Sequence, residues 1–176
     1  MYEVSYGDKY EKGLDIKEIA KRMRVDIKRA VADGELPDEK YSVRIRRFSG
    51  GQSMDVTIKT WDGPVLNHRA IELDHETRKG AAALGKEKYR DLCEEYRKTE
   101  RMVPELIKAI KALGRLAGQW NHDGSEIQVD YWNVNYYSHV DVSSNLTYNE
   151  WQEVTDKLKA RDAEAVPALK IFRPSA

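Results

Sequence analysis

Hydrophobic positions recur along this chain at two spacings, and the switches between them mark its elements. Over residues 15–33, Ile16, Ile19, Ala20, Met23, Ile27, Ala30 and Val31 recur three and four residues apart, which places them on one stripe of a helix. Asp15 stands where an N-cap belongs, Glu18 follows it as in a capping box, and Gly34 and Pro37 end the helix. The period then falls to two. Tyr41, Val43 and Ile45 alternate with Ser42, Arg44 and Arg46, and Met54, Val56 and Ile58 alternate with Asp55, Thr57 and Lys59. Joined through Ser49-Gly50-Gly51-Gln52-Ser53, segments 41–48 and 54–61 predict a β-hairpin whose apolar face covers the helix. Asp62-Gly63-Pro64 closes it.

Residues 65–82 are mixed and poorly periodic. A strongly charged helix is expected over about 84–101, with Leu84, Leu92, Cys93 and Tyr96 as a thin apolar side. A further helix starts near Met102, with Pro104 in its first turn and Val103, Leu106, Ile107, Ile110, Leu113 and Ala117 as its buried stripe. Residues 126–142 look extended, as a two-strand ribbon or one bent strand. Thr147 to Glu150 has the form of a capping box ahead of a last helix, with Trp151, Val154 and Leu158 inward.

The order helix–hairpin thus occurs twice. The expected class is α+β: an antiparallel sheet of four strands from two helix–hairpin units, helices on one face, plus a C-terminal helix. The expectation is a single domain over 1–176. It comprises a poorly ordered arm or short edge strand at 1–14, a helix–hairpin unit at 15–64 and a helical segment at 84–118. A second β unit with the C-terminal helix follows at 119–162, then a tail at 163–176.

Composition narrows the function. The 176 residues contain one cysteine, Cys93, which excludes a disulfide framework and a cysteine-based zinc site. No apolar run is long enough to span a membrane, and no secretory signal opens the chain, so a cytoplasmic setting is expected. Thirty Lys and Arg balance thirty Asp and Glu, against the basic excess of a general DNA-binding protein. The balance is uneven along the chain. Residues 116–156 hold seven acids and no Lys or Arg, while Lys17, Lys21, Arg22, Arg24, Lys28 and Arg29 cluster early. These are either solvated faces that meet in the fold or a bipolar surface that steers a charged partner.

Three stretches carry a resemblance. They are Asp15-Ile16-Lys17-Glu18-Ile19-Ala20-Lys21-Arg22-Met23-Arg24; Lys40-Tyr41-Ser42-Val43-Arg44 with Phe48-Ser49-Gly50-Gly51-Gln52-Ser53-Met54-Asp55-Val56; and Trp61-Asp62-Gly63-Pro64. They resemble the large polyvalent protein-associated domain family, and Tyr131 to Asp141 is similar to a later segment of the same proteins. The resemblance implies a bacterial mobile element (phage, prophage or conjugative plasmid) and a role in protecting or establishing incoming DNA. It brings no catalytic residues.

Two surfaces are candidates for binding. Arg44, Arg46, Arg47 and Lys59 on the hairpin suit a phosphate or a partner's carboxylates. Asp130, Trp132, Tyr137, His139 and Asp141 form an acidic aromatic segment suited to a protein partner, or to mimicry of nucleic acid. His122, Asp123, Asp130, His139 and Asp141 match no known metal spacing, and no phosphate-loop, dinucleotide or nucleophile-elbow motif is present. The sequence therefore nominates no catalytic residue, metal ligand or cofactor. The expected function is a non-enzymatic accessory protein that binds a protein partner. The alternatives are a nucleic-acid-binding module and a metal-dependent hydrolase around His139 and Asp141.

Overall fold

The computed structural model of the protein describes residues 4–125 and 134–165. The chain forms two compact units, Met1–Gly63 with Pro104–Leu146, and Pro64–Val103 with Thr147–Ala176. The class is α+β.

In the first unit, helix α1 (Ile16–Ala32) buries Ile16, Ile19, Ala20, Met23, Ile27 and Ala30, the stripe its period predicts. Full burial of each larger aliphatic side chain contributes about 1.5–3 kcal/mol. The Asp15 carboxylate accepts from the Lys17 N–H at 2.7 Å, and this bond holds its pKa below the usual value. Glu18 does not close the expected capping box; its carboxylate turns to Arg22 instead.

Strands β2 (Tyr41–Phe48) and β3 (Gly51–Ile58) pair antiparallel as predicted, with a tighter turn. Phe48 lies opposite Gly51, so only Ser49 and Gly50 form the loop, and Gly50 takes φ +93°, where a side chain would be strained. The third strand, β5 (Tyr137–Val142), lies beside β3 and runs parallel to it. Among the described residues the sheet β2-β3-β5 is therefore mixed, where an antiparallel sheet of four strands was expected; residues 126–133 of the expected second ribbon lie outside the described residues. Among the described residues β5 joins without a hairpin partner. Its apolar members Val140 and Val142 align with Val56 and Ile58, and helices α1 and α5 (Pro104–Gly118) cover that side. The core lies between them, with Met23, Val56, Ile58, Leu106 and Leu113 almost wholly buried.

The N-terminal segment is pinned. Strand β1 (Ser5–Tyr6) pairs with β4 (His122–Asp123), and the N–H groups of Gly7 and Lys9 donate to the carbonyls of Asn121 and Gln119. Lys9 Nζ and Trp120 Nε1 both donate to Asp26 Oδ2, each at 2.8 Å. Trp120 is thus a core residue joining three segments of the unit. Tyr136 is also buried, donates its hydroxyl to the Ala117 carbonyl, and has its pKa pushed up by burial.

The second unit is helical: α2 (His68–Thr77), α3 (Gly80–Leu84), α4 (Lys86–Lys98) and most of α6 (Ser144–Ala165). The poorly periodic 65–82 segment is largely α2. Gly85, at φ +85°, separates α3 from α4, so Leu84 is not part of the charged helix. Helix α6 begins before Thr147, which leaves the expected capping box inside it. Glu150 Oε2 instead accepts from the N–H groups of Val65 and Leu66, and Oε1 bonds His68 Nε2 at 2.7 Å. Trp151, expected inward, is 38% exposed and Val154 is half-buried; Leu158 is buried as expected, and Thr155 is buried with it. Among the described residues no helix is long and apolar enough to cross a membrane.

Candidate interaction face of the sheet

Alternation sends the even residues of β2 and the odd residues of β3 and β5 to the sheet side away from α1. Registers then fix the rows. Arg46 lies opposite Ser53 and Ser53 beside Tyr137; Arg44 opposite Asp55 and Asp55 beside His139; Ser42 opposite Thr57 and Thr57 beside Asp141. Two groups of residues expected on separate surfaces therefore share one face. Its β2 border is basic, and its β5 border carries a histidine and an acid.

Arg44, Arg46, His139 and Asp141 are exposed. Arg46 Nε lies 2.9 Å from Asp55 Oδ2, so the central strand already partners one arginine. Among the described residues Arg44 and Lys59 have no carboxylate partner. Lys59 follows the end of β3, and its N–H continues the ladder by donating to the Lys40 carbonyl. The Asp141 carboxylate accepts from the N–H of Val142 at 2.7 Å.

Arg47 belongs elsewhere. It has the opposite parity, and its Nη2 reaches Asp15 Oδ2 at 2.6 Å, which ties the hairpin to the cap of α1. Asp130 and Trp132 lie outside the described residues.

At the hairpin end the Phe48 and Tyr137 rings stack with centroids 6.1 Å apart, and Phe48 remains 52% exposed. Gly51 lies beneath them: a Cβ there would meet both rings at 3.2 Å. Sequence reasoning misses Phe48 as a surface residue, although it shares the parity of Arg44 and Arg46 and is legible from alternation alone.

The His122 and Asp123 candidates lie on β4, away from this face. The His122 ring packs against Tyr6 and Tyr10, at 6.1 and 4.9 Å between centroids. Asp123 accepts from the Ser125 N–H, and that bond holds its pKa below the ordinary value. Among the described residues no three His, Cys, Asp or Glu side chains gather closely enough to hold a metal ion. Cys93 is a half-buried free thiol on α4. The chain matches no protein-family model, and neither a curated protein nor a solved structure matches it.

Proposed function

We propose that this chain is a non-enzymatic accessory protein of a mobile genetic element, acting in the cytoplasm of a bacterial host by binding a protein partner through the outer sheet face. The observation that carries the reading is the joint placement of Arg44, Arg46, Asp55, His139 and Asp141 on one exposed face beside the Phe48–Tyr137 pair. Interleaved charges of both signs around aromatic contact area suit a protein surface of alternating charge. A phosphate backbone is less well served, because Asp55 occupies the centre of the face and engages Arg46. The mobile-element context is supported by the sequence resemblance at residues 15–64.

The test is capture from lysate of the native host with nuclease present, comparing the wild-type chain with Arg44→Glu/Arg46→Glu and Asp141→Lys. A defined protein retained by the wild type and lost in both variants is the expected result. Retention on single-stranded DNA, sensitive to salt and lost only in the arginine variant, would move the function to nucleic-acid binding.

A further inference from the structure

A cavity of about 430 Å³ is lined entirely by residues of the second unit, so it is independent of the sheet face and of the reading above. Its volume falls among small-ligand sites, which run from about 300 to 1,000 Å³. Helix α2 supplies Ala70 and Ile71, both buried, and Leu66 just ahead of it is half-buried. Tyr96 of α4 and Trp151 of α6 complete the apolar wall. The partly exposed Trp151 thus lines a cavity, while Thr155 and Leu158 of the same helix are buried.

The charged residues of the lining are Asp74, Arg78 and Arg101. Asp74 is the carboxylate among them, and Arg78 engages it, with Nε 2.8 Å from Asp74 Oδ2. That bond uses Nε and leaves both Nη groups of Arg78 without an acceptor among the described residues. Arg101 has no carboxylate partner among the described residues; its guanidinium lies over the Tyr96 ring, 6.0 Å from the centroid. The backbone beneath it is held, since the Arg101 carbonyl accepts from the Asn67 N–H at 2.9 Å and Met102 bridges to Leu66. Glu150, the neighbour of Trp151, does not compete for Arg101, because its oxygens are taken by the N–H groups of Val65 and Leu66 and by His68. With the Asp74–Arg78 pair neutral, the lining keeps the single positive charge of Arg101. An indole, a phenol and one uncompensated guanidinium in one cavity fit a flat ring that bears one anionic group. Rings stack on aromatic faces, and a guanidinium fork matches a carboxylate through two parallel hydrogen bonds. A phosphate monoester, with nearly two charges, would exceed the one left unpaired.

We propose that this cavity of the second unit binds a small aromatic carboxylate. The carboxylate meets Arg101, with the free Nη groups of Arg78 as further donors, and the ring lies against Trp151 and Tyr96 over Leu66 and Ile71.

The test uses the full chain and naphthoate, with naphthamide as its neutral counterpart and octanoate as a carboxylate without a ring, followed by calorimetry and NMR. Naphthoate is expected to bind and to shift the Ile71 methyl and Trp151 indole N–H signals. The amide is expected to bind about tenfold or more weakly, because the charge-assisted hydrogen bonds are lost. Octanoate is expected to bind about threefold or more weakly, because it cannot stack. Arg101→Gln, at an exposed position, should remove most of the preference for acid over amide without moving the thermal midpoint. Arg97→Gln, one helical turn earlier and outside the lining, should leave binding unchanged, which separates a site from general charge attraction. Equal binding of acid and amide, or an acid preference that survives in Arg101→Gln, would overturn the anion site. Octanoate binding as tightly as naphthoate would overturn the assignment to an aromatic ligand. Absence of binding at millimolar naphthoate, or shifts confined to other residues, would overturn the proposal altogether.

Discussion

Asp26 shows how much one side chain holds. It sits on the buried side of α1, and a single oxygen accepts from both Trp120 and Lys9. The Trp120 ring also has Arg22 and Lys9 against its faces, each 5.4 Å from the centroid. Replacing Asp26 by Ala leaves the buried indole N–H without an acceptor, and the expected loss is about 1–3 kcal/mol. Equilibrium urea denaturation measures it; an unchanged midpoint would show that the indole finds another acceptor. Glycines give a paired prediction. A Cβ on Gly7 would strike the backbone carbonyls of Gly118 and Gln119, which cannot swing aside as a side chain does. Gly7→Ala is expected to destabilise by about 1–3 kcal/mol. Gly114 lies within α5 with nothing near its absent Cβ, so Gly114→Ala should stabilise by roughly 0.5–1 kcal/mol. Opposite shifts of the thermal midpoint are the expected result.

Elements show where sequence reading stops. Helix α1 and the β2–β3 hairpin are legible because their signals are local: a three-to-four spacing, then a two-residue spacing, separated by glycine. The parallel placement of β5 beside β3 is not, since the two are separated by α2 to α5 and alternation does not encode direction. Trp151 departs from expectation for a related reason: hydrophobicity gives it an inward place, but α6 buries Thr155 instead, beside the expected Leu158. The candidate face is legible residue by residue and not as a unit, because only the strand register brings Arg44 and His139 into one row. Charged contacts that α6 makes with α2 and with Lys79, just ahead of α3, within the second unit are likewise invisible in the sequence. There Asp162 accepts from Lys79 at 2.9 Å and bonds His75 Nε2 at 3.0 Å, while Arg161 reaches Glu76 at 2.9 Å. The Lys79 bond, then the His75 bond, hold the Asp162 pKa at about 2. A carboxylate depressed in the folded state stabilises it above the unfolded pKa, near 3.9, and that contribution disappears as pH falls toward 2. Lys79→Ala is expected to raise the Asp162 titration midpoint toward the ordinary aspartate value. NMR titration of the carboxyl carbon reads this directly, and an unmoved midpoint would show that Lys79 does not set it.

At the scale of the whole chain, equal numbers of cations and anions make the proposed partner class a question of salt. The outer face offers at most Arg44, Arg46 and Lys59 to a phosphate backbone, and Asp55 already engages Arg46. Neutralising three phosphates of a single strand gives a slope of about −2 in log affinity against log salt. A fourfold rise in salt would then weaken binding by about 20-fold, and lysine or arginine contacts beyond the face would steepen this further. A protein partner meeting both signs of charge releases few counterions, because its own charges replace those of the solvent ions on either border. The complex is therefore expected to lose less than about fivefold in affinity between 50 and 200 mM salt, far from the nucleic-acid slope. Arg44→Glu/Arg46→Glu should weaken it at both salts, because each reversed charge faces a carboxylate of the bound partner. Isothermal titration at the two concentrations separates the cases: a slope of two or more assigns the face to nucleic acid, and a flat response with a large variant effect assigns it to protein.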